Sequence, residues 1–120
     1  MKVFTSCFAN LKNIERMGIV PVSISLFPPK DFNGPKTKTV APTWEMLNRY
    51  KKDFNKEQYI EDFQRILDAV DAKAFAWELH RLGGGKDVAM CCFEMPGEFC
   101  HRRLVANWLT AKFGIEVKEL

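Results

Sequence analysis

The sequence lacks any apolar run near the roughly 18 residues that a membrane-spanning helix needs, and its opening lacks the hydrophobic segment of a signal peptide. It has only four cysteines, and the adjacent Cys91 and Cys92 lie inside an apolar run. This placement predicts reduced, buried thiols and argues against a secreted disulfide framework. We therefore expect a cytoplasmic protein without a membrane partner.

A strong excess of charge of one sign is also missing, since the net charge is only +3. The charge is nevertheless uneven: residues 28–56 hold seven basic and three acidic side chains, whereas residues 57–85 hold three and six. Such asymmetry can attract an anionic partner to one side of a molecule. Two solvated helix faces of opposite sign would give the same pattern.

What is present is ordinary globular composition, with 47% hydrophobic residues in 120, which predicts one domain over residues 1–120 with its own core. Alternating or unbroken apolar runs predict strands at residues 2–8, 20–27, 87–93 and 115–120. Capping residues and apolar periodicity predict three helices that begin at Thr43, Asn55 and Asp71. A further helix is expected over Glu98–Phe113, and Asn10–Arg16 is expected to be a short connector of one or two helical turns. Strands separated by helices indicate the α/β class, here a single three-layer domain with a small, mostly parallel sheet flanked by helices.

The segment from Cys91 to Arg103 carries the strongest chemical signal. A buried strand ends there and a helix opens, at the place where open α/β sheets bind ligands. Helical spacing puts His101 on the apolar face of the last helix, with Cys100 and Arg102 on its flanks and the next arginine facing solvent. An inward histidine and arginine beside Glu94 need a partner or a bound ligand.

These residues carry a resemblance. Cys92-x-Glu94 at a strand end, followed by Cys100-His101-Arg102, resembles the family called domain of unknown function 488 (DUF488). The opening Phe4-Thr5-Ser6 and the following Ala9-Asn10-Leu11 are similar to the short branch of that family. The resemblance implies an α/β fold and a site at Glu94, Cys100, His101 and Arg102, without implying a known reaction. Longer members carry Asp-Val-Arg where Ser23-Ile24-Ser25 stands here.

The favoured hypothesis is a site for a phosphate-containing small molecule or a nucleic acid, with Glu94 and His101 as the acid–base pair if catalysis occurs. The predicted catalytic residues are Glu94, His101 and Cys100, and the predicted ligand-binding residues are Arg102, Asn10, Lys36, Lys38 and Trp44. The long loop from Pro28 to Pro42 supplies the two lysines, either as a binding loop or as plain surface. No particular cofactor is indicated.

Three alternatives stay open for the same residues. Glu94, His101 and Arg102 could satisfy one another as a structural network in a non-catalytic binding or adaptor protein. A zinc site could use Cys92, Cys100 and His101, completed by Cys7 or His80, but paired CxxC motifs are absent and we expect no metal. Cys100 could be a nucleophile, although the Cys-x5-Arg loop of cysteine phosphatases is missing.

Overall fold

The computed structural model describes residues 1–93 and 99–120. Its strands are β1 (Val3–Cys7), β2 (Val20–Ser23), β3 (Val88–Cys92) and β4 (Lys118–Glu119). Its helices are α1 (Leu11–Arg16), α2 (Trp44–Asp53), α3 (Lys56–Asp68), α4 (Ala72–Leu82) and α5 (His101–Phe113), with a short 3-10 turn at Phe8–Asn10. No helix within the described ranges is long and apolar enough to cross a membrane.

The four described strands form one sheet in the order β2-β3-β1-β4, and all of their pairings are parallel. β3 lies between β2 and β1, and all five of its residues are buried. An unbroken apolar strand is typical of a sheet covered on both faces. The predicted α/β class with a parallel sheet is confirmed.

Helices cover both faces of this sheet. On one face, Ile14 of α1 packs with Ala89 and Cys91 of β3. On the other face, α2, α3, α4 and α5 contribute to the larger core, where Val88 and Met90 lie. The alternation of side chains along β3 thus divides its residues between two cores.

The predicted N-caps of α2, α3 and α4 are confirmed. The side chains of Thr43, Asn55 and Asp71 each accept a hydrogen bond from the backbone N–H three residues on. Each bond satisfies one of the N–H groups that have no partner inside their own helix. Local capping chemistry therefore fixes where these helices start.

Three predicted boundaries are wrong. β2 ends at Ser23, not at residue 27, because the Pro28–Pro42 loop returns beside it, with Ser23 N–H donating to the Pro35 carbonyl. Residues 25–27 are then free to line a cavity. α5 begins at His101, not at Glu98, since Cys100 is still extended (φ −151°, ψ 146°). β4 spans two residues where six were predicted.

Candidate functional site

A cavity of about 390 Å³ opens beyond the carboxyl ends of β2 and β3, beside the first turn of α5. Its volume lies at the small end of the range for ligand sites in proteins. Cys92, Cys100 and His101 form its floor, and Ser25 and Lys51 add polar groups. Its aromatic lining residues are Phe27, Tyr50, Tyr59, Phe93 and Phe99.

Three of these rings form one packed wall. The Phe99 ring centroid lies 5.5 Å from that of Tyr50 and 5.2 Å from that of Tyr59, and the two tyrosine centroids are 5.5 Å apart. Such edge-to-face and tilted contacts are favourable beyond the area that they bury. Lys56 Nζ lies 5.1 Å from the Phe99 centroid, over its ring. The wall joins α2, α3 and the segment that leads into α5.

Ser25 provides a polar group without a partner in this cavity. The residue is only 7% exposed, and its Oγ has no hydrogen-bond partner within the described part of the chain. Its backbone N–H donates to Ser23 Oγ at 3.3 Å. A buried hydroxyl without a hydrogen bond is unfavourable, so this atom is suited to contact a ligand.

His101 lies on the inward face of α5, as the sequence predicted, and is 6% exposed. Its Nε2 lies 2.9 Å from the Ile24 carbonyl oxygen, which can only accept, so Nε2 carries the proton and Nδ1 has a free lone pair. Burial, followed by the charge of Arg102, lowers the pKa of His101 to about 4 against the opposing Ile24 bond. The imidazole is therefore neutral near pH 7.

The expectation of reduced thiols is wrong for two of the four cysteines, because Cys92 and Cys100 form a disulfide. The two meet because β3 ends at Cys92 and Cys100 immediately precedes α5, so that both residues lie at the cavity floor. Cys7 and Cys91 are free and buried. Cys91 points to the opposite face of the sheet, where burial raises the pKa of its thiol to about 12.

Arg102 is a buried residue, with 1% exposure, and it forms an ion pair. Its Nε and Nη2 donate to the Glu119 carboxylate at 2.9–3.2 Å, and its Nη1 donates to Cys92 Sγ at 3.0 Å. Burial alone would raise the pKa of Glu119. Hydrogen bonding and the charges of the two arginines outweigh this effect and lower the pKa below its usual value. The pair joins α5 to the edge strand β4.

Arg103 does not simply face solvent, as the helical spacing had suggested. Its Nη1 donates to Thr5 Oγ1 at 2.7 Å and to the Val117 carbonyl at 3.3 Å. The Thr5 hydroxyl also donates to Glu119. The Glu119 carboxylate lies on β4, so this strand brings a hydrogen-bonded acidic group alongside the start of α5.

The predicted ligand-binding residues Asn10, Lys36, Lys38 and Trp44 do not line the cavity. Asn10 donates to Ser6 Oγ at 3.1 Å. Trp44 is 53% exposed and its ring makes an edge contact with Phe27 at 6.0 Å. Lys38 Nζ lies over that same Phe27 ring, 6.0 Å from its centroid. Lys36 Nζ lies over the Phe32 ring, 5.5 Å from its centroid. Glu94 lies outside the described residues.

Three segments of the chain meet at the edge of the sheet where its parallel strands end. The Phe8 ring, just beyond β1, lies 5.1 Å from that of Phe93, just beyond β3. It also lies 5.3 Å from that of Phe32 in the long loop. Parallel strands end at the same edge, so their following residues converge.

Sequence reasoning did not find several residues of the cavity. Tyr59 belongs to an amphipathic stripe that indicates only a core-facing helix, and Tyr50 to the apolar positions of α2. Ser25 alternates in a strand-like run, so nothing local marks it as a cavity residue. The 3.6-residue period of α2 does place Lys51 next to Tyr50 and Leu47, but only the tertiary fold shows that the three line one cavity.

Three comparisons with known proteins were made. A family model described as "Active DUF488-N3 subclade" (DUF488-N3a) matches residues 12–113. No curated protein matches the chain. No solved structure matches it either. The match covers β2, β3, helices α2 to α5 and all but the first residue of α1, and it includes the cavity floor.

Proposed function

The chain belongs to the DUF488 family, and we propose that its cavity binds a nucleotide unit. The family is named for lacking an assigned reaction, so the support for this proposal comes from the cavity itself. The observation that supports the proposal is the aromatic lining of a space of about 390 Å³ beside the Ser25 hydroxyl, which has no hydrogen-bond partner among the described residues. Aromatic side chains bind bases by stacking, whichever base is present. Ser25 would hydrogen-bond a base edge or a sugar hydroxyl.

Lys51 is the proposed phosphate contact. It is an exposed residue that lines the cavity mouth on α2, next to Tyr50 of the aromatic wall. A lysine ammonium binds phosphate as a point charge. Lys38 lies above Phe27 at the same mouth and adds positive charge toward a second phosphate. The same chemistry fits a free nucleotide and a nucleotide within a nucleic-acid strand.

The proposal concerns binding and assigns His101 a contact rather than proton transfer. A group with a pKa of about 4 is a poor proton acceptor near neutral pH, where catalytic bases work best with pKa values close to the operating pH. The pairing of Glu94 with His101 as acid and base stays a prediction. Arg102 contributes in this proposal by holding Cys92 and α5 in place.

The experiment is isothermal titration of the full chain with adenosine monophosphate, adenosine and inorganic phosphate, repeated with each of the other three bases. Lys51→Ala should weaken monophosphate binding about tenfold and leave nucleoside binding unchanged, because one charge-assisted contact is lost. Lys52→Ala is the matched control, since Lys52 follows on the same helix but does not line the cavity. Equal effects of the two substitutions, or no binding of any probe, would refute the proposal.

A short single-stranded oligonucleotide distinguishes the two sources of the nucleotide. If a strand is the natural ligand, it should bind more tightly than the monophosphate, and its affinity should fall steeply with salt as released counterions predict. If the ligand is a free nucleotide, the oligonucleotide should bind no better than the monophosphate.

The rival function is a non-catalytic adaptor in which the Cys100-His101-Arg102 motif only braces the fold. One observation favours a bracing role for Arg102, namely its buried ion pair with Glu119 at 2.9 Å. It does not account for the open cavity above His101 or for the Ser25 hydroxyl, to which residues 1–93 and 99–120 offer no hydrogen-bond partner. Failure of every nucleotide probe would favour the adaptor.

A further inference from the structure

Three side chains at the cavity floor have the chemistry of metal ligands. Cys92 Sγ, Cys100 Sγ and His101 Nδ1 lie within 4.8 Å of one another, and all three residues are buried. Two sulfurs and an imidazole nitrogen form a donor set that suits zinc and related thiophilic ions. Within the described residues, neither Cys7 nor His80, which the sequence had offered as further ligands, belongs to this group.

The imidazole is already held in the form that a metal requires. The Ile24 carbonyl accepts from Nε2–H at 2.9 Å, which leaves the Nδ1 lone pair 3.7 Å from Cys100 Sγ. Metal-binding histidines commonly donate their other ring N–H to a carbonyl or carboxylate, which fixes the tautomer and the ring orientation. The Phe63 ring makes a T-shaped contact with the imidazole, at a centroid distance of 5.5 Å, and restricts its rotation further.

The surroundings of the two sulfurs favour thiolates once the disulfide is reduced. Arg102 Nη1 donates to Cys92 Sγ at 3.0 Å. Cys100 is the N-cap of α5, where the helix dipole stabilises negative charge. Glu119 offsets part of the Arg102 charge through the ion pair, while Arg103 lies on the other side of that carboxylate at 3.9 Å.

We propose that, when Cys92 and Cys100 are reduced, their sulfurs and His101 Nδ1 bind one zinc-like divalent cation at the cavity floor. Tetrahedral zinc with ordinary bond lengths holds a sulfur and a nitrogen ligand about 3.6 Å apart. Cys100 Sγ and His101 Nδ1 are 3.7 Å apart. The Cα atoms of the two cysteines are separated by 7.5 Å, so the two sulfurs have room to move apart around an ion once the bond between them is broken.

The fourth ligand position would face the cavity. Catalytic zinc sites use three protein ligands and keep the fourth position for water or substrate, whereas structural sites are closed by four. The three proposed ligands all line the open cavity. This inference stands without the nucleotide proposal, since it depends on the ligand atoms alone.

Metal binding and the disulfide use the same sulfurs and therefore exclude each other. A dithiol reductant supplies two electrons and two protons, the Cys92–Cys100 bond breaks to give two thiols, and the reductant becomes its own disulfide. The cation then displaces one proton from each thiol, and both protons are released to solvent. His101 keeps its Nε2 proton in the hydrogen bond to the Ile24 carbonyl.

The test is a titration of the reduced, chelator-treated full chain with Co²⁺ and then Zn²⁺ under anaerobic conditions. The readouts are the absorption of tetrahedral thiolate-bound cobalt and the metal content per chain after desalting. Cys100→Ser and Cys92→Ser remove one ligand each, and serine is a favoured N-cap, so Cys100→Ser should keep α5 intact. Cys91→Ala is the matched control, because Cys91 adjoins Cys92 but faces the other side of the sheet.

We expect one ion per reduced chain in the wild type and in Cys91→Ala, and at least a tenfold weaker affinity in each serine variant, roughly the smallest loss expected for a ligand. The oxidised wild type should bind no ion. Circular dichroism identifies a variant that fails to fold, and the oxidised wild type then replaces it as the ligand-free comparison. Absence of stoichiometric metal in the reduced wild type, or equal binding by Cys100→Ser or the oxidised chain, overturns the proposal.

Discussion

The ion pair between Arg102 and Glu119 allows a quantitative prediction about stability. Arg102 is 1% exposed, whereas the Glu119 side chain is 24% exposed, so the two partners lose different amounts of solvation on folding. Removing one partner of a buried pair typically costs 3–5 kcal/mol, roughly, because the other charge is left uncompensated. Arg102→Met leaves a carboxylate that water can reach, which places its cost near the lower limit, at about 3 kcal/mol.

Glu119→Leu should also be destabilising, because it takes a hydrogen-bonded carboxylate away from the buried guanidinium. The double variant should be no less stable than the less stable of the two single variants, since the interaction between the two side chains is lost only once. For a chain of 120 residues, a loss of 3 kcal/mol corresponds to a fall in Tm of about 12 °C.

Chemical denaturation followed by circular dichroism measures these free energies of unfolding. Arg65→Met is the control, because Arg65 is 69% exposed and pairs with Glu61 on the surface. Such surface pairs contribute about 0–1 kcal/mol. A loss below about 1 kcal/mol for Arg102→Met, or strictly additive losses in the double variant, would show that the pair does not hold α5 to β4.

Two further predictions concern pH. Because the pKa of His101 is lowered from 6.5 to about 4, the unfolded metal-free chain binds the proton more readily, so stability should fall by about 3 kcal/mol as pH falls from 6.5 to 4. In His101→Gln, the free energy of unfolding from denaturation curves should depend less on pH between 6.5 and 4. An unchanged pH dependence would contradict the explanation by burial of His101. The pKa of Cys91 is raised from 9.0 to about 12, so its contribution is complete below pH 9 and is lost as pH rises. Between pH 9 and about pH 10.5, the free energy of unfolding should therefore fall by about 2 kcal/mol less in Cys91→Ala than in the wild type. An equal fall in the two proteins would refute this prediction.

The parts of the fold that sequence predicted well are those with local causes. Thr43, Asn55 and Asp71 cap their helices through their own side chains, so a reader of the sequence can find them. The start of α5 has no such marker, because Cys100 makes no side-chain cap bond there. Its first turn was therefore predicted three residues too early.

The parts of the site that sequence missed depend on distant segments. The inward direction of His101 follows from helical periodicity and was predicted correctly. Its hydrogen-bond partner is the Ile24 carbonyl, 77 residues away in sequence. Glu119, the partner of Arg102, lies on a two-residue strand with no recognisable pattern of its own. Pairings of this kind are decided by tertiary packing, on which periodicity carries no information.

The strand order has a consequence for how the chain folds. The residues of β1 and β2 come early in the sequence, but these two strands do not pair with each other. Each of them pairs with β3. Val3 must wait for Val88, 85 positions later, before its ladder can form. An emerging chain that lacks β3 therefore has two unpaired strand edges and no sheet, and long-range pairing of this type slows folding. The addition of one late segment completes both ladders at once, which makes sheet formation an all-or-none event.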